Sequence, residues 1–136
     1  MRLFIILLLS VRCLLANDMY EIRLLESVLG SLFEVKKIKV YADADAKTLL
    51  QRSEKFEIID KCNKNVLLLV GSNFQNLPEV CQKKPLFAMS YKNYKKDENA
   101  FGAFYWRKGR PQLKFKKERI KKFHLTLPDK LKKYLR

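Results

Sequence analysis

The sequence predicts a three-layer α/β domain: a mostly parallel sheet, closed at one edge by an antiparallel β-hairpin and followed by two terminal helices. Three observations predict it. Short apolar runs at 37–41, 56–59, 65–70 and 86–91 alternate with segments that carry helix caps or helical apolar spacing. The run at 65–70 is apolar on both faces, as a strand covered by helices on both sides must be. Residues 100–115 give an aromatic arm, a polar turn, and a second arm in which Pro111, Leu113 and Phe115 alternate with Gln112, Lys114 and Lys116. A length of 136 residues allows one such domain with one core. The 48% hydrophobic content separates it from a disordered basic tail.

Residues 1–16 read as a secretory signal peptide, with Arg2 as the positive start and an unbroken apolar run at 3–9. The run falls short of the roughly 20 apolar residues of a membrane span, and Arg12 interrupts it. The folded domain is then 17–136, and the protein is expected in the periplasm. The alternative is an uncleaved N-terminus that anchors it to the inner membrane.

A helix at 19–33 carries Ile22, Leu25, Val28, Leu29, Leu32 and Phe33 at helical spacing behind an acidic capping box of Asp18 and Glu21. After the strand at 37–41, Asp43 or Asp45 caps a helix that ends near Gln51. The strands at 56–59 and 65–70 follow. Gly71, Ser72 and Asn73 end the second of these and are expected to cap a short helix bearing Leu77, Val80 and Cys81. Pro85 precedes the strand at 86–91, and 92–99 reads as a polar loop before the hairpin. Pro111, Lys114 and Lys116 discourage further pairing at that edge. A basic helix at 116–123 buries Ile120 and Phe123. Thr126 and Asp129 form a capping box for the last helix, with Pro128 in its first turn and Leu131, Tyr134 and Leu135 as its stripe.

Removal of the leader takes Cys13 with it and leaves Cys62 and Cys81, an even pair expected to form a disulfide in an oxidising compartment. Closing that loop contributes about 3 kcal/mol in the chain-entropy model. The alternative is two buried free thiols. Two distant cysteines and one histidine do not make four ligands, so neither a metal nor a cofactor is expected.

Charge is placed unevenly. Residues 18–82 hold 9 Lys/Arg against 10 Asp/Glu, whereas 83–136 hold 18 against 4, within a total of +15. Such a rear half suits an anionic partner: an anionic membrane or cell-wall polymer, or an acidic surface on an envelope or membrane protein. Lysine outnumbers arginine 21 to 8, which argues against nucleic acid, because bidentate reading of phosphates and bases uses arginine. The partner surface is expected around Arg107, Lys108, Arg110, Lys114, Lys117 and Lys121, the alternative being a solvated face. Phe101, Phe104, Tyr105 and Trp106 have the chemistry to stack on sugars or bases, and core packing accounts for them at least as well.

In open α/β sheets ligands sit beyond the carboxyl ends of the strands. Asp43, Asp45, Ser72, Asn73, Tyr91 and Lys92 stand there, with the backbone N–H groups at Ser72 and Asn73 as receivers of a small anion. The alternative is that these residues only cap helices. Catalysis has no anchor: there is no phosphate-binding glycine loop, no nucleophile elbow and no histidine pair, and His124 lies between Phe123 and Leu125 without an orienting partner in sequence.

The tail, with Gly102, Gly109, Arg110, Leu113, Phe115, Ile120, Leu125, Leu127, Leu131 and Leu135, resembles the close of the YfiR-like family of periplasmic regulators. In that family a glycine-bearing hairpin, a short helix and a leucine step lead into a final helix. The apolar run 66–70 after Cys62 and the run 86–90 after Pro85 are similar to its middle, so the resemblance covers about 38–135. Phe123 and His124 stand where the family usually has a glycine before the leucine step. The resemblance implies a periplasmic α/β domain that senses redox or envelope state and restrains a membrane signalling enzyme through protein contacts. The function expected is therefore a small exported, non-enzymatic binding protein, a sensor or adaptor for an envelope partner. The alternatives are a solute-binding lobe for a small anion and a basic protein that binds an anionic membrane or cell-wall polymer. Oligomeric state is left open.

Overall fold

Chirality lays out this molecule, because right-handed crossovers running in opposite directions across a sheet must use opposite faces. The computed structural model describes residues 2–135, with side chains from residue 17 onward. The leader expected at 1–16, Cys13 included, falls outside the residues whose side chains are described. Helix α1 (Arg2–Leu32) leads into strand β1 (Ile38–Ala42), helix α2 (Ala44–Leu50) and strands β2 (Phe56–Ile58) and β3 (Leu68–Gly71). A 3-10 turn (Glu79–Cys81), β4 (Leu86–Ala88), α3 (Tyr91–Lys96), β5 (Ala100–Arg107) and β6 (Arg110–Phe115) follow. Helix α4 (Lys117–Lys122) and a 3-10 helix (Asp129–Tyr134) end the chain. Among the described residues no helix is long and apolar enough to cross a membrane.

The six strands lie in the order β2-β1-β3-β4-β5-β6. Every neighbouring pair is parallel except β5–β6, so the protein has the α/β architecture with an antiparallel hairpin edge. From β1 the chain first moves outward to β2, then crosses back to β3 and advances through β4 and β5. The direction of travel therefore reverses between β1 and β3, and the connections change faces there. On one face Leu25 and Leu29 of α1, Leu50 of α2, Ile120 of α4 and Leu131 share a core with Ile38, Val40, Leu68, Val70 and Phe87. On the other, Tyr94 of α3 joins Cys62, Val66, Leu69, Cys81, Leu86 and Ala88. Each large side chain fully buried in this way contributes roughly 1.5–3 kcal/mol.

Strand β5 changes register against β4 between Leu86 and Phe87, where Ala100 and Gly102 are the successive partners. The extra residue places Phe101 and Phe104 in the first core and Ala100, Ala103 and Tyr105 in the second. Gly102 faces the Phe115 ring so closely that a Cβ there would lie 2.7 Å from it. At the hairpin tip Lys108 and Gly109 have φ of 51° and 75°, the two positive values that a two-residue type I′ turn requires.

Several local expectations are overturned. Asp18 and Glu21 do not cap α1, because the helical backbone runs through them and their neighbours' N–H groups are already bonded one turn back. Both side chains turn instead toward other elements. Ser72 and Asn73 cap no helix; only the 3-10 turn at 79–81 forms there, behind Pro78. Residues 92–99 are not a loop throughout, since Ser90 accepts a hydrogen bond from the Asn93 N–H at 3.3 Å and starts α3. The last segment is a 3-10 helix behind Pro128 without a side-chain cap, and Asp129 pairs with Lys132 at 2.6 Å rather than with Thr126.

Helix α4 ends on His124, whose φ of 54° is left-handed. The His124 N–H bonds to the Lys121 carbonyl and the Leu125 N–H to the Ile120 carbonyl, both at 3.0 Å, the paired bonds of a Schellman close. An exposed histidine thus holds a position that glycine fills without strain. His124→Gly is expected to raise stability by about 1 kcal/mol, measured by urea unfolding, with the fold unchanged.

Candidate functional site

Two concavities bring the sequence-predicted residues together, and they differ in sign of charge. The first lies at the switch point, beyond the carboxyl ends of β1 and β3. It measures about 330 Å3 and its walls include Asp18, Glu21, Asp43, Asp45, Arg52, Ser72 and Asn73. Asp43 is its keystone. One carboxylate oxygen, Oδ1, accepts from the Ala46 N–H at 2.9 Å and caps α2. The other, Oδ2, accepts from the N–H groups of Ser72 at 2.7 Å and Asn73 at 3.0 Å. Gly71 makes this possible: its φ is +143°, and a Cβ there would lie 2.5 Å from the Asp43 Cγ.

The amide pair expected to receive an anion is therefore occupied by the chain's own carboxylate. Asp18 pairs with Arg52 at 3.2 Å, Glu21 accepts from the Trp106 indole Nε1–H, and Asp45 is exposed. A free anion entering here meets four carboxylates and one guanidinium, so the geometry does not favour it. Among the described residues no group of three or more His, Cys, Asp and Glu side chains is placed to hold a metal ion.

The second concavity lies at the hairpin edge. Helix α3 is only six residues long, and it packs on β4 and β5 through buried Tyr94. The same face of β6 is left open, and Lys114 projects across it. The Lys114 Nζ stands 5.4 Å from the ring centre of Tyr91 and 5.9 Å from that of Tyr105. The two rings lie 5.6 Å apart at 53°. Beside them the Lys116 Nζ donates to the Tyr94 carbonyl at 2.7 Å and sits 4.6 Å over the Tyr94 ring. Burial, and next the neighbouring Arg119 guanidinium, push the Lys116 ammonium below the ordinary lysine range.

Two adjoining hollows result, and Tyr91 is common to both. One, of about 450 Å3, is lined by Tyr91, Tyr94, Lys95, Lys114, Lys116, Lys117, Glu118 and Arg119. The other, of about 570 Å3, is lined by Met89, Ser90, Tyr91, Tyr105, Trp106 and Arg107. Among the described residues none of these cations lies within salt-bridge distance of a carboxylate. Tyr105 is only 8% exposed and its hydroxyl has no hydrogen-bond partner among the described residues, a deficit of about 1–3 kcal/mol in a buried polar group.

Eight of the predicted residues fall into two groups. Asp43, Asp45, Ser72 and Asn73 share the switch-point cavity. Tyr91, Arg107, Lys114 and Lys117 gather in the groove. Lys92 is exposed on α3 and lines neither hollow of the groove. Lys108 and Arg110 stand at the hairpin turn, and Lys121 is exposed on α4. Phe101 and Phe104 are core residues, and the Trp106 ring packs against Tyr20 and Phe104.

Tyr94 and Lys95 were missed, because a stretch read as loop has no faces. The signal was present: Tyr91, Tyr94 and Lys95 are spaced to lie on one side of a helix. Cys62 and Cys81 are joined by a disulfide, with Cys81 fully buried in the second core. No protein-family model matches the chain, nor does any curated protein or solved structure.

Proposed function

We propose that this protein is a small exported, non-enzymatic binding protein, a sensor or adaptor at the cell envelope, whose working surface is the basic groove between α3, β6 and α4. One observation carries the proposal: five cations, Lys95, Lys114, Lys116, Lys117 and Arg119, line one hollow with a single carboxylate, Glu118. Lys116 and Arg119 donate to backbone carbonyls, and among the described residues none of the five lies within salt-bridge distance of a carboxylate. Cations gathered in a recess attract an anionic partner more strongly than the same charges spread over a convex face. The apolar leader, the disulfide pair and the tail similar to YfiR-like periplasmic regulators support the envelope as its compartment. The absence of an orienting partner in sequence for the lone His124 and its role as a helix close support binding without catalysis.

Charge reversal tests the assignment. Lys95→Glu/Lys117→Glu changes two exposed side chains in the groove; Lys61→Glu/Lys64→Glu makes the same change in charge far along the sequence, before β3. Retention on envelope fractions, measured by co-sedimentation, is expected to be lost in the first variant and kept in the second. Equal loss in both means that net charge alone drives association, and the groove then has no special part.

A further inference from the structure

Resting on that reading, we infer that the groove takes an acidic saccharide chain, with anionic groups at its two cationic ends and a sugar ring packed on Tyr91 between them. The order of chemistry along the groove leads to this ligand. Arg107 marks one end, Lys95, Lys117 and Arg119 the other, and Tyr91 is the residue the two hollows share. Tyr91 is 47% exposed, so its ring is available from the solvent side.

The weakly positive C–H face of a sugar ring is attracted to the negative face of an aromatic ring. Carboxylates or phosphates attached to neighbouring sugars then fall toward cations that have no carboxylate partner among the described residues. The Tyr105 ring lines the second hollow, and its hydroxyl is sealed in the core without a hydrogen-bond partner among the described residues.

Other anionic partners fit less well. A bilayer surface is broad and presents its charges in a plane, whereas these cations sit in a recess beside a short helix. A nucleic-acid base would find the same open face of Tyr91, but bidentate reading of phosphates and bases uses arginine, and the two hollows hold only Arg107 and Arg119. Lysine predominance over arginine points the same way.

Calorimetric titration of the disulfide-bonded protein is the test, with a short oligogalacturonate as probe. The comparison ligands are galacturonate monomer, the neutral methyl ester of the same oligomer, a single-stranded oligodeoxythymidine of equal charge, and phosphatidylglycerol vesicles. The oligogalacturonate is expected to bind, the methyl ester not to bind, and the monomer to bind at least about tenfold more weakly, a difference of about 1.4 kcal/mol. Tyr91→Ala is expected to weaken the oligomer about tenfold while the melting temperature holds. Arg107→Gln and Lys117→Gln, at opposite ends, each weaken it as well.

The saccharide is ruled out by absence of oligomer binding, by equal or tighter binding of the oligonucleotide or the vesicles, or by a silent Tyr91→Ala. Any of these, found together with groove-dependent envelope retention, removes the saccharide and leaves the basic groove as the working surface. Envelope retention untouched by Lys95→Glu/Lys117→Glu removes both.

Discussion

Replacing both Cys62 and Cys81 with alanine is expected to lower stability by about 3 kcal/mol. The bridge spans 19 residues of sequence, and within that span lie the return from β2 over β1, strand β3 and the 3-10 turn. Without the bond the unfolded chain regains the conformations that a closed loop of about 20 residues forbids, which is the source of the figure. In a chain of this size the loss corresponds to a fall of roughly 10–15 °C in melting temperature.

The native side adds a second effect. Cys81 is fully buried and Cys62 nearly so, and the link between them ties the β2–β3 connection to the β3–β4 connection over the second core. Two alanines leave a small void there, so the effect does not fall below the entropic value. The measurement is urea unfolding of the oxidised protein, of the same protein after reduction, and of the double variant. A shift under about 1 kcal/mol in both comparisons would mean that residual structure in the unfolded state already holds the loop.

Asp43→Ala is expected to cost about as much, about 3 kcal/mol, without touching a core side chain. One carboxylate holds three backbone donors from two segments: Ala46 at the start of α2, and Ser72 and Asn73 after β3. Loss of a helix cap accounts for about 1 kcal/mol of the change. Two charge-assisted bonds to partly exposed amides account for about 1 kcal/mol each.

Graded substitutions separate the parts. Asp43→Ser keeps a cap but cannot reach the second segment, and should recover only about 1 kcal/mol. Asp43→Asn has one acceptor oxygen for two sets of donors, so it satisfies α2 or the β3 end, never both. Gly71→Ala should be coupled to these changes. Its new methyl would meet the Asp43 carboxyl group, at 2.5 Å from Cγ, so part of its cost disappears once Asp43 is already alanine. Additive losses in the double variant would show that the contact between Gly71 and Asp43 is not the constraint described above. Urea unfolding of the four single variants and the double variant decides it.

The anion-receiving site that the sequence indicated at Ser72 and Asn73 is real as a pair of amides and already filled as a site. The sequence shows that Asp43 has the chemistry of a helix cap. It does not show that its second oxygen reaches across about 30 residues of chain to another strand's end, because that distance closes only when β1 and β3 pair.

Much was decided by local chemistry and needed no tertiary structure. Alternation at 110–115 and the Lys108-Gly109 turn specify the hairpin, since side-chain period and positive φ are properties of a few adjacent residues. The doubly apolar β3 specifies a central strand, and the cysteine pair a single bridge once Cys13 is set aside. The uneven charge of the rear half is a fact of composition.

What tertiary structure alone decided is the sign and shape of each concavity. Strand order puts Asp18, Glu21, Asp43 and Asp45 around the switch point and makes acidic a site that read as anion-binding. The shortness of α3 leaves the outer face of β6 uncovered, which turns a run of lysines into a recess with Tyr91 at its centre. Local sequence sets the conformations of neighbours along the chain. The meeting of Lys95, Arg107 and Lys117 around one tyrosine depends on how a parallel sheet is wound, and only the packed fold can bring them together.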